Sequence, residues 1–212
     1  KSDPTLAVKK ATTLAEKGDG IAQLSLGRWY LKQQQLANAV KWLSKAQKSQ
    51  PDAGLELAKV YLAMQKPQKV LDVIGESSGS EAIDIRLKAL QMQGDMLYSN
   101  FKNLEAQKSY LQMEKIHPDK NNFELLSRLA RIHDSIGLDM FAGGKKSEAE
   151  EILKKSLEYT EKLKTNHPDR AETYLLLAVS TGNLARFKSG KDKIRIGGAV
   201  EGYCQKAIEL NP

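Results

Sequence analysis

Cysteine is nearly absent from this sequence, and that scarcity excludes two kinds of site. Cys204 is the single cysteine among 212 residues, so the chain forms neither an internal disulfide nor a zinc site with several cysteine ligands. One cysteine also leaves the redox compartment open. We therefore expect either a periplasmic or exported protein with a processed N-terminus, or a cytoplasmic one.

Long apolar runs and blocks of one charge are also missing. No stretch approaches 18 consecutive apolar residues, so we expect no transmembrane segment. The 33 Lys and Arg exceed the 26 Asp and Glu and give a net charge of +7, but the excess is spread along the chain. Without a concentrated basic segment, we expect no nucleic-acid partner.

Residues that commonly build catalytic or metal sites are few. The three histidines form no His-Glu-x-x-His motif, and the adjacent His133 and Asp134 would point about 100° apart on a helix. His-Pro-Asp occurs at residues 117–119 and 167–169, where we expect Pro to end one helix and Asp to cap the next. We expect no enzymatic activity, no metal and no cofactor.

The sequence does contain a helical pattern, with abundant Leu, Ala and Lys and with most of its six prolines at apparent helix ends. Residues 20–51 indicate two antiparallel helices. Gly27 and Ala39 are small enough to let these helices approach closely, Leu43 supplies apolar filling, and Pro51 closes the segment.

The spacing between the two small residues recurs along the chain. In four pairs the second residue follows the first by 12 positions. The pairs are Gly27 and Ala39, Ala58 and Val70, Gly94 and Ala106, and Gly137 and Ala149. A fifth pair, Ala178 and Val200, lies 22 residues apart. One hairpin of this length cannot bury its apolar faces alone, so we expect the hairpins to stack on their neighbours.

This pattern resembles the tetratricopeptide repeat, or TPR. Leu26, Gly27 and Tyr30 match its W-x2-L-G-x2-Y signature, although Gln23 stands where Trp is usual, and the short joins resemble Sel1-like repeats. The resemblance implies an all-α, right-handed α-α superhelix, a TPR-like solenoid of antiparallel helix hairpins in about five irregular repeats. It predicts one domain over residues 1–212, with a half repeat at about 5–19 and repeats at about 20–53, 54–80, 81–119, 120–169 and 170–212.

The last two repeats are longer than the others. Pro168 follows Ala149 by seven residues more than Pro51 follows Ala39, which predicts about two extra helical turns. Ten additional residues before Val200 predict a lengthened segment between the two helices of the fifth repeat. That segment is similar to variant repeats of the regulator-of-microtubule-dynamics family. Beyond it, we expect Cys204 to be buried against the neighbouring helix.

In tetratricopeptide repeats the first helices line a concave groove. The resemblance implies that the second, fifth, ninth and twelfth positions of each repeat, counted with the small residue as eighth, contact a partner. The candidate partner-binding residues are Leu24, Arg28, Leu31, Leu55, Lys59, Leu62, Lys88, Gln91, Asp95, Tyr98, Arg131 and Asp134.

The resemblance implies a non-enzymatic protein–protein interaction scaffold that binds a peptide or partner protein in this groove. Cations beside apolar residues suit a peptide with an acidic element. An alternative is a helical-repeat module of a larger enzyme or envelope assembly machine whose active part lies outside this chain. Asp52, Asp95 and Asp134 at groove positions argue against a nucleic-acid binder, and a homo-oligomer formed through the end repeats is a further option.

Overall fold

The computed structural model describes residues 4–211, and within that range it contains helices, turns and no strand. Between α10 and α11 lies a short 3-10 turn, Ala185–Phe187. The helices are α1 Pro4–Glu16, α2 Gly20–Lys32, α3 Leu36–Ala46, α4 Ala53–Ala63, α5 Pro67–Ile74, α6 Ser80–Ser99, α7 Asn103–Ile116, α8 Phe123–Ala142, α9 Lys146–Asn166, α10 Ala171–Leu184 and α11 Gly190–Leu210.

Consecutive helices pack against each other along the chain, and this confirms the predicted all-α, TPR-like solenoid. The chain forms two compact units, Lys1–Gln93 and Gly94–Pro212, which we call the first and second unit. Their boundary falls inside α6. The partition into a half repeat and five repeats stays a prediction, and its residues 1–3 and 212 lie outside the described range.

In the first unit, the core is built from the apolar faces of α2, α3 and α4. Leu24, Leu43, Leu57 and Val60 are buried together there. Each fully buried aliphatic side chain of this kind contributes about 1.5–3 kcal/mol through removal of its surface from water. Gly27 lies directly against Leu43, so α2 and α3 approach closely at the position where the sequence predicts a small residue.

The second unit repeats this close approach twice. Gly94 lies against the ring of Tyr110, and a Cβ atom placed on Gly137 would lie 2.6 Å from Leu153 Cγ. Leu153 is completely buried. The recurring small residue therefore marks the point where each first helix touches the second helix of its own hairpin.

Both helices of the fourth hairpin are long, at 20 residues for α8 and 21 for α9. The additional turns of α9 agree with the late position of Pro168. The start of α8 at Phe123 places nearly two turns of helix ahead of Ala130, the first position counted back from Gly137. In the second unit, a cluster of buried side chains that includes Phe123, Leu163 and Leu176 joins α8, α9 and α10.

Four predictions of local structure are wrong. The additional residues before Val200 mostly lengthen α11, which begins at Gly190, instead of forming a long segment between helices. Asp119 does not cap α8, because Asn122 holds that position and its side chain accepts from Leu125 N at 3.1 Å. Asp169 likewise does not cap α10, since Arg170 precedes that helix. Finally, Cys204 is half-buried.

Candidate functional site

Two of the three predicted partner-binding cations of the first unit, Arg28 and Lys59, already have intramolecular partners. Arg28 on α2 donates from Nε to Glu56 Oε1 on α4 at 3.0 Å, and its Nη2 lies 3.6 Å from Asp52. Lys59 on α4 lies 2.7 Å from Glu81 on α6. The hydrogen bond to Glu81 raises the pKa of Lys59 above its ordinary value. Exposed pairs of this kind contribute about 0–1 kcal/mol each, so their main effect is to neutralise this face.

The apolar candidates of the first unit largely belong to its core. Leu24 is buried at 7% exposure. Leu31 packs against the cluster of α2, α3 and α4, while Leu55 and Leu62 pack against a neighbouring cluster around Ala58 and Val70. On α6, Lys88 is exposed and Gln91 is half-buried. The structure therefore does not gather the candidates of the first unit into one open site.

In the second unit, three of the predicted residues line one cavity of about 250 Å³ between α6, α8 and α10. They are Asp95, Tyr98 and Arg131. Tyr98 is 38% exposed and its hydroxyl lies 3.2 Å from Ser135 Oγ. Because α6, α8 and α10 are first helices of successive hairpins, this cavity lies on the face where the sequence predicts partner binding.

Arg128 occupies the wall of this cavity and binds two carboxylates. Its Nε donates to Asp95 Oδ1 at 2.9 Å, its Nη2 donates to Asp95 Oδ2 at 3.0 Å, and its Nη1 donates to Glu124 Oε2 at 2.6 Å. Burial lowers the pKa of Arg128, but the hydrogen bonds with Asp95 and Glu124 outweigh it and raise the pKa overall. The bidentate pair of Arg128 with Asp95 holds α6 against α8.

Tyr110 on α7 extends the same network. Its hydroxyl donates to Asp95 Oδ1 at 2.7 Å, and burial, followed by this hydrogen bond, raises the pKa of Tyr110 well above its ordinary value. Asp95 therefore accepts three hydrogen bonds and has little capacity left for a ligand. Its role is to hold Arg128 and Tyr110 in place.

Two groups on the cavity wall remain poorly paired. Ser127 is only 4% exposed, and its hydroxyl has no hydrogen-bond partner among the described residues. Arg131 is half-exposed, and its Nη2 lies 3.5 Å from Glu172 Oε1 on α10. That separation exceeds the 2.7–2.9 Å usual for a hydrogen bond between a guanidinium and a carboxylate.

His133 and Asp134 face different helices, so they do not form a joint site. The Nδ1 of His133 lies 2.7 Å from Leu129 O, and its Nε2 lies 3.2 Å from Gln107 Nε2 on α7. Asp134 is 5% exposed and accepts from Asn183 on α10 at 3.2 Å. Burial raises the pKa of Asp134 to about 6. A partner bound at the surface would not reach this carboxyl group.

Within residues 4–211, no group of three His, Cys, Asp or Glu side chains is placed to hold a metal ion. In the same range, none of the helices combines the length and the apolar character needed to cross a bilayer. His167 serves as a turn residue, and its Nε2 lies 2.6 Å from Asn121 O.

Comparison with known protein families gives a match over residues 90–212, which is more than half of the chain, to the family described as Regulator of microtubule dynamics protein 1-3. The chain belongs to this family. No curated protein matches the chain. The matched residues include all of α7 to α11 in the described range, so the cavity between α6, α8 and α10 lies within the family region.

Solved structures show the same fold in this family member and in TPR proteins. The chain superimposes on a TPR repeats protein, BF2334, from Bacteroides fragilis NCTC 9343 with a TM-score of 0.58, 14% identity and coverage of 83% of this chain and 89% of that one. The chain also superimposes on MamA with a TM-score of 0.54 and 14% identity, covering 90% of this chain and 91% of MamA. YrrB is described as a TPR protein with an unusual peptide-binding site. It superimposes with a TM-score of 0.54 and 13% identity, covering 95% of this chain and 91% of YrrB. At these identities the comparison defines the fold alone.

Sequence reasoning missed Ser127, Arg128 and Tyr110. The predicted repeat begins at about residue 120, but the groove positions are counted back from Gly137, which makes Ala130 the first counted position. Ser127 and Arg128 lie before it, and Tyr110 lies on a second helix, where no groove position is counted. One signal was available: Asn122 is a good N-cap residue and precedes the apolar run that starts at Phe123. An earlier start of α8 would have placed Ser127 and Arg131 one turn apart on one face.

Proposed function

We propose that this member of the family is a non-enzymatic scaffold that binds a segment of a partner protein on the first-helix face of the second unit. We define this face by Asp95, Tyr98, Ser127, Arg131 and Glu172. The cavity between α6, α8 and α10 is the observation that carries the proposal. YrrB, which has the same fold, is described as having a peptide-binding site, and this supports the choice of ligand class.

The second unit is favoured over the first because groups that lack full hydrogen-bond partners lie beside its cavity. In the first unit, Arg28 and Lys59 are neutralised by neighbouring carboxylates and the apolar candidates pack inward. In the second unit, Tyr98 and Arg131 are accessible beside an open cavity. Leu24 and Asp134 are buried and do not line the cavity, so we leave them out of the proposed surface.

A rigid face of this kind suits recognition of an extended or helical segment. The helices are already formed, and Arg128 is fixed by two carboxylates, so little conformational entropy of the scaffold is lost on binding. Tyr98 offers a large side chain with only two rotatable torsions, a property common among residues that dominate binding energy.

Peptide selection on the whole chain tests the proposal. Peptides selected from a random library are labelled, and their affinity is measured by fluorescence anisotropy for the native chain and for Tyr98→Ala and Arg131→Ala. We expect each substitution to weaken binding by about tenfold or more, as for residues at the centre of an interface. Lys108→Ala, which removes a cation from an exposed position on α7, is the matched control and should leave the affinity unchanged.

Two results would contradict the proposal. Failure to select any peptide with saturable binding would contradict the proposed peptide-binding function. Binding that Lys108→Ala weakens, and that Tyr98→Ala and Arg131→Ala leave unchanged, would place the partner on the second helices instead.

A further inference from the structure

The turns that follow α6, α8 and α10 lie side by side on one edge of the second unit. Asn103, at the start of α7, donates from Nδ2 to Asp139 Oδ2, near the end of α8, at 2.7 Å. The rings of Phe141 and Phe187 lie 5.4 Å apart, which brings the turn after α8 next to the turn after α10. We call this surface the turn edge, and it consists of residues 100–105, 142–148 and 185–195. None of these residues lines the cavity of the first-helix face.

The turn edge concentrates the positive charge of the second unit. Its three segments contain eight Lys and Arg against three Asp and Glu, whereas the rest of Gly94–Pro212 contains 11 against 14. Glu148 and Asp192 each pair with one exposed cation, at 3.9 Å and 3.3 Å, which leaves cations in excess. Because the three segments are far apart in the sequence, the concentration becomes visible only in the fold.

Phe101 lies at the tip of the turn after α6 in a backbone conformation that suits glycine. Its φ is +59°, and its N–H donates to Tyr98 O at 3.0 Å. The turn after α8 has the same form, but there Gly144 has a φ of +81° and donates to Phe141 O at 3.1 Å. A bulky side chain is rare in this left-handed region because its Cβ crowds the backbone.

The aromatic ring of Phe101 gains almost no packing within the chain in return for this strain. Phe101 is 90% exposed, so its ring lies in water. Strained residues persist where they serve a function, and exposed apolar side chains at such a position indicate contact with a partner. The same turn in the next hairpin shows that the fold itself does not require an aromatic residue there.

Ile194 is a second apolar side chain that projects from the turn edge. It is 77% exposed in α11 and lies between Lys193 and Arg195 in the sequence. A protein partner needs a matching pocket for each projecting side chain, whereas the interfacial region of a bilayer accommodates them without one. Lys and Arg beside them reach lipid phosphates with their long, flexible stems.

We propose that the turn edge binds an anionic phospholipid surface, with Phe101 and Ile194 inserted at the level of the headgroups and the surrounding Lys and Arg paired with lipid phosphates. The inference goes beyond the proposed function, because it assigns a second surface to a different class of partner. Electrostatic attraction and apolar insertion are each weak alone, and together they give stable attachment to a membrane surface.

Vesicle flotation of the whole chain tests this proposal. The vesicles consist of phosphatidylcholine alone or of phosphatidylcholine mixed with phosphatidylglycerol, and each is used at low and at high salt. We expect binding to the mixed vesicles at low salt, and weak binding at high salt or without the anionic lipid, because salt screens the attraction. A bead-bound glutamate-rich peptide is the parallel probe for an acidic protein partner.

The Phe101→Gly variant separates the membrane contact from folding. We expect it to weaken vesicle binding by about tenfold or more, because the apolar ring no longer enters the interface. The temperature of thermal unfolding should not fall, since glycine adopts the left-handed conformation without strain. Ile194→Ser should also weaken binding, whereas Leu175→Ser, which changes a residue 51% exposed on α10, is the matched control and should not.

A pair of charge variants tests the cations. Lys191→Gln combined with Lys193→Gln should weaken vesicle binding by about tenfold or more, because each cation near an anionic surface contributes about fivefold. Lys115→Gln combined with Lys155→Gln removes the same charge from exposed positions on α7 and α9. This control should bind within about twofold of the native chain.

Four outcomes overturn the inference. They are the absence of binding to mixed vesicles, equal binding to phosphatidylcholine alone, unchanged binding of Phe101→Gly, and equal weakening by the two lysine pairs. Retention on the glutamate-rich peptide without vesicle binding also overturns it and assigns the turn edge to an acidic protein. Peptide binding at the first-helix face is measured separately, so the proposed function stands if vesicle binding fails.

Discussion

The carboxyl group of Asp134 on α8 is buried, and its Oδ1 accepts a hydrogen bond from Asn183 on α10 at 3.2 Å. Burial raises its pKa from 3.8 to about 6. Below about pH 3.8 the group is protonated in the folded and unfolded chain alike. Between about pH 3.8 and 6 the folded chain retains a proton that the unfolded chain has lost, so the free energy of unfolding falls as the pH rises.

Replacement of this group makes the effect measurable. We expect Asp134→Asn to raise the free energy of unfolding at pH 7 by about 1–3 kcal/mol, because about two pKa units correspond to roughly 3 kcal/mol and the new amide N–H groups offset part of it. Urea unfolding followed by circular dichroism at pH 7 and at pH 3.5 tests this. The difference should shrink at pH 3.5, where Asp134 is neutral. Asp84→Asn, on an exposed part of α6, should change neither value.

Arg128 stabilises the fold through its hydrogen bonds to two carboxylates. We expect Arg128→Met to lower the free energy of unfolding by about 1–2 kcal/mol, because it removes charge-assisted hydrogen bonds to Asp95 and Glu124 while the methionine retains part of the packing. Thermal and urea unfolding provide the measurement. Arg28→Met should cost about 0.5 kcal/mol or less, since that side chain is 44% exposed. Equal effects of the two substitutions would contradict this account of Arg128.

Among the elements, the hairpin of α8 and α9 depends on a close contact between Gly137 and Leu153. We expect Gly137→Ala to lower the free energy of unfolding by about 1–3 kcal/mol, because the added methyl group would overlap a completely buried side chain. Gly198→Ala in α11 is the matched substitution. Nothing lies within 4 Å of a Cβ atom there, so we expect it to stabilise the chain by up to about 1 kcal/mol.

The opposite signs of these two changes are the informative result, and differential scanning calorimetry of both variants measures them together. A stabilising Gly137→Ala would mean that α8 and α9 have room to separate at this point. A destabilising Gly198→Ala would mean that the exposed face of α11 is covered in solution.

The sequence predicted the helices well where a local pattern determines them. Gly27, Gly94 and Gly137 each mark the same close contact, so a fixed spacing of small residues was enough to locate the hairpins. The prediction failed at α11 because Gly197 and Gly198 indicate a helix break, whereas both lie within a continuous exposed helix. Asp192 lies in the first turn of α11, where its negative charge interacts favourably with the helix dipole. This was a weaker signal, and it indicated the earlier helix start.

The candidate site was harder to predict than the fold. Its position on the first helices follows from the repeat pattern. Whether a charged side chain there is paired depends on residues about 30 positions away in the sequence. Arg28 is neutralised by Glu56 and Arg128 by Asp95 through contacts between separate helices, which periodicity does not specify. Ser127 was missed because it lies in the part of α8 that precedes Ala130, the first position counted back from Gly137.

For the whole molecule, two compact units divide the chain, and the proposed partner face belongs to the second of them alone. The family region, residues 90–212, includes every residue of that face. We therefore expect substitutions in the first unit, such as Arg28→Gln and Lys59→Gln, to leave partner affinity within about twofold of the native value. Fluorescence anisotropy with a selected peptide measures this. A loss of about tenfold or more would show that the first unit contributes to the interface.

The most direct test of the account is the location of a bound peptide on the labelled chain. A selected peptide is titrated into the ¹⁵N-labelled protein and the amide shifts are followed by NMR. The account predicts that the largest changes cluster on α6, α8 and α10 around Tyr98, Ser127 and Arg131, with little change on the exposed faces of α7 and α9. Changes confined to α7 and α9, or to the first unit, would contradict it.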